Sequence, residues 1–162
     1  MQVEEKRYDV QAVKDRLNAY REGEREIETQ TEVLDRLVSK LEGVGAKIIT
    51  DMPRSPSPPT DRMTDLIAQK IELEEMIAED IAFQTAERRE ISGVLKKLKS
   101  ADEKAVIRFR YMIGMNWLDV TNAMFGTLPD YLDKELSYQR RVQKIHGRAL
   151  LHMATIMDLV KS

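Results

Sequence analysis

The sequence predicts an all-α protein, with a long antiparallel helical hairpin (a coiled coil) followed by a C-terminal helix-turn-helix domain. Two long segments repeat apolar residues at alternating spacings of four and three, and three shorter amphipathic patterns follow in the C-terminal part. Aromatic residues make up only 6% of the 162 residues, and 7 Gly and 5 Pro are too few for the many turns of a sandwich or barrel.

Composition limits the function classes. The chain has no Cys, which excludes a disulfide scaffold, Cys-ligated zinc and thiol catalysis, and fits a reducing cytoplasm. Its apolar runs are too short to span a membrane, and the N-terminus carries acids in place of a signal-peptide core. We therefore expect a cytoplasmic protein without a membrane partner. Although the net charge is −2, residues 94–162 hold 12 Lys and Arg against 7 Asp and Glu, so the C-terminal part suits an anionic partner.

The first long pattern predicts a coiled-coil helix. A spacing that averages 3.5 residues keeps one helix face turned toward a partner. The seam is apolar except at Glu24 and Thr31, and its apolar members are Val13, Leu17, Tyr20, Ile27, Leu34, Val38 and Leu41. We expect the helix to end at Gly43 or Gly45, because glycine readily adopts the left-handed conformation found at helix C-termini.

The second long pattern predicts the other arm of the hairpin. Thr60 or Asp61 is placed to cap it, and its apolar positions are Met63, Leu66, Leu73, Ile77, Ile81, Ile91, Leu95 and Leu98. Four prolines forbid helix through much of the connection at 44–60, which we interpret as an irregular exposed loop with Ile48 and Ile49 against the hairpin tip. Equal arm lengths favour an antiparallel hairpin over residues 1–99.

Residues 100–162 predict three further helices. Ser100 and Glu103 form a capping box for the first of them, which Gly114 then ends. Asn116 caps a short second helix with inward side chains Trp117, Val120, Ala123 and Met124. Ser137 caps the third helix, whose inward side chains are Val142, Ile145, Ala149 and Leu150.

The outer face of the third helix is polar and basic, as a DNA-reading helix requires. Arg140 suits guanine and Gln143 suits adenine through paired hydrogen bonds, whereas Lys144 acts as a point charge. The expected DNA-binding residues are Ser137, Tyr138, Gln139, Arg140, Arg141, Gln143, Lys144 and Arg148. The alternative is that QRRVQK is only the solvated face of a surface helix.

Two stretches carry a family resemblance. LKSADEKAVIRFRYMIGMNWLDV resembles region 4 of sigma-70-type factors, and together with SYQRRVQKIHGRAL it is similar to the ArpU/RinA-like regulators of phage late genes. The resemblance implies sequence-specific DNA binding and transcriptional control, without catalytic residues. The chain departs from the family pattern in the inserted loop 127–136, whose Asp130, Asp133 and Glu135 place acid beside the expected DNA face.

We see no motif for catalysis or metal binding. His146 and His152 are six residues apart, not the four of a helical metal pair, and the sequence contains no P-loop, dinucleotide-binding glycine motif or nucleophile elbow. The prediction is therefore a protein that is not an enzyme and has no cofactor or metal.

The expected function is that of a DNA-binding transcriptional regulator of a phage or mobile element, with double-stranded DNA as partner. The hairpin would dimerise or contact RNA polymerase. The alternative is a coiled-coil structural or adaptor protein, including a DNA-packaging adaptor, whose C-terminal module binds protein. A terminal apolar stripe either folds back on the hairpin base or pairs with a second chain, and a homodimer is the favoured interpretation; its members are Met153, Ile156, Met157 and Val160.

Overall fold

The computed structural model describes residues 7–48 and 60–161, and its regular elements in these ranges are helices. They are α1 (Val10–Ile48), α2 (Thr60–Lys97), α3 (Ala101–Ile107), α4 (Trp117–Phe125) and α5 (Glu135–Ile156), and a π-helical turn (Arg108–Ile113) continues α3. The all-α class and the two long hairpin helices are confirmed.

The first arm is longer than predicted. α1 continues through Gly43 and Gly45 to Ile48, so the predicted end was wrong, and residues 44–48 are helix where a loop was expected. A glycine inside a helix costs only about 1 kcal/mol relative to alanine, which a long helix tolerates. α2 begins at Thr60, so the residues predicted to cap it, Thr60 or Asp61, lie in its first turn. Residues 49–59 and the predicted contacts of Ile48 and Ile49 lie outside the described part of the chain.

Two compact units divide the chain. One consists of Met1–Glu22 with Ala86–Ser162, and the other is Gly23–Thr85. The hairpin arms contribute to both units, because the hairpin base packs with the C-terminal helices. The predicted division into 1–99 and 100–162 follows chain order instead, and it stays a prediction.

In the first unit, the base of the hairpin and the second half of α5 share a hydrophobic core, which we call the base core. Its buried members are Val13, Leu17, Tyr20, Ile91, Leu95, Leu98, Ile107, Tyr111, Ala149, Leu150, Met153 and Ala154. Arg16 fixes the register of the two arms, since its Nε and Nη2 donate to the two carboxylate oxygens of Glu87 at 3.0 and 2.9 Å. Arg16 also pairs with Glu90.

The terminal apolar stripe takes the first of its two predicted arrangements. Met153 is buried in the base core, and Ile156 and Met157 pack against that core. The backbone N–H of Asp9 donates to the carbonyl oxygen of Leu159 at 2.7 Å, which fixes this end of the chain beside the start of α1. Most of the stripe is thus covered within the chain, so the predicted homodimer would need another surface and remains a proposal.

The first unit has a second core between α3, α4 and the first half of α5. Its buried members are Val106, Val120, Phe125, Tyr131, Val142 and Ile145, with Trp117 and Met124 packed against them. Ala123 was predicted to face inward, but it is exposed. Tyr131 comes from the inserted segment, so this segment is anchored in the core and is not a loose loop.

The second unit pairs α1 with α2 through polar as well as apolar side chains. The Gln30 side-chain amide donates to Asp80 at 3.0 Å, and the Gln84 amide donates to Glu24 at 3.1 Å. The buried residues among those that the structure describes in this unit are Gln30, Leu37, Ile77 and Gln84. Thr31 and Ile81, two predicted seam members, are exposed. An α-helix repeats every 3.6 residues, so a strict 3.5-residue seam drifts around a straight helix.

Replacing a leucine of the base core should destabilise the protein strongly. Leu17 is 1% exposed, whereas Leu132 is 86% exposed. Leu17→Ala should lower the free energy of unfolding by about 2–5 kcal/mol, because it leaves a cavity among packed side chains. Leu132→Ala removes the same atoms from the surface and should change it by less than about 0.5 kcal/mol. Urea denaturation measures both, and equal effects would contradict the described core.

The two arms approach each other closely at Gly23. A Cβ built there would lie 2.7 Å from the Gln84 amide, whereas a Cβ at Gly93 would meet nothing within 4 Å. Gly93→Ala should stabilise the protein by up to about 1 kcal/mol. Gly23→Ala should stabilise it less, or destabilise it, because the bonded Gln84 must move. Thermal melting of both variants tests this, and equal stabilisation would contradict it.

Candidate nucleic-acid interface

The predicted turn between the first two C-terminal helices is present. Ser100 Oγ accepts a hydrogen bond from the Glu103 backbone N–H at 3.3 Å and caps α3. Gly114 ends the π-helical turn with φ +88°, the left-handed conformation that favours glycine. Asn116 Oδ1 accepts from the Asp119 backbone N–H at 2.8 Å and caps α4. Asn116 therefore fixes where α4 begins, as the sequence predicted.

The third helix begins three residues earlier than the predicted cap at Ser137 implies. Its first residue is Glu135, no side chain caps it, and Ser137 lies in its first turn. Tyr138 stacks on Phe125 at a ring-centroid distance of 5.1 Å and on Tyr131 at 5.9 Å.

The inserted acids do not all face the expected DNA surface as free charges. The Tyr138 hydroxyl donates to Asp130 Oδ1 at 2.7 Å, and this bond holds the pKa of Asp130 below its usual range. Lys134 Nζ lies 3.4 Å from the other oxygen of Asp130. Tyr138 is one of the expected DNA-binding residues. It is half-buried, and its hydroxyl already donates its hydrogen bond to Asp130.

The two faces of α5 separate as predicted. Val142, Ile145, Ala149 and Leu150 are buried. The outer face brings together most of the expected DNA-binding residues: Ser137, Arg140, Arg141, Gln143, Lys144 and Arg148 are exposed, and Gln139 is half-buried. The Arg141 guanidinium lies 5.0 Å from the centroid of the Phe125 ring, so part of this residue serves packing.

An open groove of about 450 Å³ lies between α4 and α5. Its lining residues are Trp117, Leu118, Thr121, Leu136, Gln139, Arg140, Gln143 and Lys144. Leu118 is 59% exposed and Leu136 is 61% exposed, so the groove joins apolar side chains to polar and basic ones. The sequence reasoning missed Leu118, Thr121 and Leu136. The available signal was that the two leucines fall outside the inward apolar positions of their helices.

The buried His146 packs against Trp117, which lines the groove. His146 Nε2 and the Tyr111 hydroxyl share a hydrogen bond of 2.8 Å, and the Trp117 ring meets the imidazole edge-on at 4.7 Å. Burial lowers the pKa of His146 to about 4, and the positive charges of Lys14 and Arg110 act in the same direction. At neutral pH His146 is uncharged and packs Trp117 in place.

The other histidine makes a different contact. His152 Nδ1 lies 2.9 Å from Glu103 Oε2, so the Glu103 carboxylate reaches α5 and the predicted capping box is only half formed. In the described ranges, no group of three or more His, Cys, Asp or Glu side chains is arranged to hold a metal ion. Nor does any helix among the residues that the structure describes have the length and apolar character needed to cross a membrane.

Comparisons of the chain with protein-family models, with curated proteins and with solved structures found no match.

Lowering the pH should destabilise the protein through His146. Its folded pKa of about 4 lies below the ordinary 6.5, so between these values the unfolded state binds more protons. Stability should therefore fall as the pH drops from 6.5 toward 4, by at most about 1.4 kcal/mol per pH unit. Urea denaturation of the parent and of His146→Gln across this range measures it. The same pH dependence in both proteins would contradict the role of His146.

Proposed function

We propose that the protein is a sequence-specific, DNA-binding transcriptional regulator of a phage or mobile element, and that α5 binds double-stranded DNA. One observation carries the proposal: the outer face of α5 presents exposed arginine, lysine and glutamine side chains while its inner face is buried along the helix. A helix with this division can enter the major groove without losing its packing on the domain.

The side chains on α5 match the chemistry of a DNA groove. Arg140 and Gln143 lie three residues apart, on neighbouring positions of one helix face, where both can reach base edges. Arginine donates two hydrogen bonds to guanine, and glutamine pairs with adenine in the same way. Lys144 and Arg148 follow one turn apart and supply positive charge toward the phosphates.

The exposed leucines fit the same surface. Leu118 and Leu136 flank the polar side chains in the α4–α5 groove. An apolar side chain at a major groove contacts the methyl group of thymine, which is a sequence-dependent contact. The base preference is therefore expected to include thymine beside the bases that Arg140 and Gln143 contact.

The family resemblance completes the proposal. The likeness to sigma-70 region 4 and to ArpU/RinA-like regulators supports regulation of phage or mobile-element genes in the cytoplasm. RNA polymerase contact and homodimer formation by the hairpin belong to this proposal as well. The exposed charged faces of α1 and α2 give such contacts a surface.

A second candidate is a protein adaptor, and the same groove favours it. Two leucines that are more than half exposed, beside Trp117, could receive the apolar face of a partner helix. The two candidates differ in the role of the cations. DNA binding requires Arg140 and Lys144 as charge contacts, whereas a partner helix depends mainly on the leucines.

If α5 contacts DNA phosphates, the salt dependence of DNA binding should decrease when its cations are removed. Replacing Arg140, Lys144 and Arg148 together with alanine should weaken binding to duplex DNA. The slope of log affinity against log salt should become shallower by roughly 0.9 for each phosphate that these side chains neutralise in the parent. Fluorescence anisotropy with a labelled duplex, at several KCl concentrations, measures this slope.

A matched triple variant controls for the change of net charge. Arg36, Lys40 and Arg62 are exposed cations of the hairpin unit, and their alanine variant should keep the parental slope. Gln143→Ala should change the motif selected from a random DNA pool more than it changes overall affinity. A folded Arg140/Lys144/Arg148 variant with the parental slope would overturn DNA binding by α5, and binding of protein but not DNA would support the adaptor.

A further inference from the structure

Two arginines from distant parts of the chain meet at the turn before α4. Arg21 Nη2, from α1, donates to the carbonyl oxygen of Gly114 at 3.2 Å. Arg110 Nη1, from the π-helical turn, donates to the carbonyl oxygen of Met115 at 3.0 Å. Because these carbonyls belong to consecutive residues, the two guanidinium groups are held at one short turn.

This pair of cations has no carboxylate partner. Within the described residues, neither Arg21 nor Arg110 forms an ion pair, and the Nε of each is buried without a hydrogen-bond acceptor. The pKa of Arg110 is lowered by burial and then by the positive charge of Arg21, which shows that the two groups repel each other. A bound anion would relieve this repulsion.

The N–H donors that Arg21 and Arg110 leave unused indicate which kind of anion the pair can bind. A guanidinium group carries four terminal N–H donors besides its Nε–H, which is buried in both arginines. Arg21 and Arg110 each use one terminal donor on the turn, so three terminal donors remain on each side chain. Their planar, forked geometry matches the oxygens of phosphate. Two such groups at one turn can bind a single phosphate from two sides.

The pair also borders the proposed DNA surface. The Arg110 guanidinium lies 4.6 Å from the centroid of the Trp117 ring. Trp117 in turn lines the α4–α5 groove together with Gln143 and Lys144. A phosphate at the arginine pair would thus be a neighbour of DNA bound along α5.

We propose that Arg21 and Arg110 together bind one phosphate group of the DNA backbone at the Gly114–Met115 turn, beside the base-reading face of α5. This inference rests on the proposed function. It makes the first helix of the hairpin a direct contributor to DNA binding, because Arg21 belongs to α1.

The site can be tested without DNA. Trp117 is the only tryptophan of the chain, and Arg110 stacks on it, so its fluorescence should report phosphate binding at the pair. Inorganic phosphate, added at constant ionic strength against chloride, should change the emission saturably and should shift the Gly114 amide resonance in NMR spectra. No saturable change in either signal would overturn the site.

Variants of Arg21 test whether the fluorescence and NMR responses to phosphate come from this site. Arg21→Gln removes one charge without touching Trp117, and it should abolish the saturable response. Arg21→Lys keeps the charge and should retain part of it, which separates the effect of charge from the effect of packing. Arg36→Gln, in the other compact unit, removes an exposed arginine and should respond like the parent. A full response in folded Arg21→Gln would overturn the role of Arg21.

Duplex DNA then identifies the source of the phosphate. In the folded Arg21→Gln, Arg110→Gln double variant, the slope of log affinity against log KCl should become shallower by roughly 0.9, the value for one neutralised phosphate. If the parent binds DNA and the slope of the double variant is unchanged, this inference fails while the proposed function stands. If inorganic phosphate binds but DNA does not, the proposed function and the backbone source both fail, and the site holds a free phosphate.

Discussion

The fold depends on the burial of one face of α5 from Val142 to Ala154. Val142 and Ile145 are buried in the second core, and Ala149, Leu150 and Met153 are buried in the base core. Burying this much apolar surface is the main favourable term in the folding of such a domain. Because one helix closes both cores, its orientation is set by packing along many turns. Its outer face is left to solvent and is free to carry recognition residues.

Uncharged side chains pack against charged groups of this unit or form hydrogen bonds with them. His146 is uncharged at neutral pH and packs Trp117 between itself and Arg110. Asp130 accepts a hydrogen bond from Tyr138 and lies beside Lys134, whereas the inserted acids Asp133 and Glu135 are exposed. Cations thus accumulate at the Gly114–Met115 turn and on the outer face of α5. The residues proposed to contact bases and those proposed to bind a phosphate belong to one compact unit.

Sequence reasoning reached most of the fold because helix signals are local. A few neighbouring residues are enough to predict the caps at Ser100 and Asn116, the glycine at 114 and the inward face of α5. The missed features depend on contacts between residues far apart in the chain.

In the hairpin seam, Gln30 is buried although it lies off the predicted positions, because its amide donates to Asp80 across the pair. Likewise, Tyr131 anchors in the core the segment that was predicted as an inserted loop. At the candidate site, the polar face of α5 was predictable from spacing. The groove leucines and the meeting of Arg21 with Arg110 were not, because α1 and the α4 turn come together only in the folded chain.

The most direct test of the central claim is an NMR titration of the labelled full-length protein with a mixed-sequence DNA duplex. If α5 binds DNA, the amide shifts should concentrate in residues 135–148 of α5 and at the turn before α4, with little change over residues 60–85 of α2. Absence of shifts on α5, or shifts confined to the hairpin residues 23–85, would contradict it.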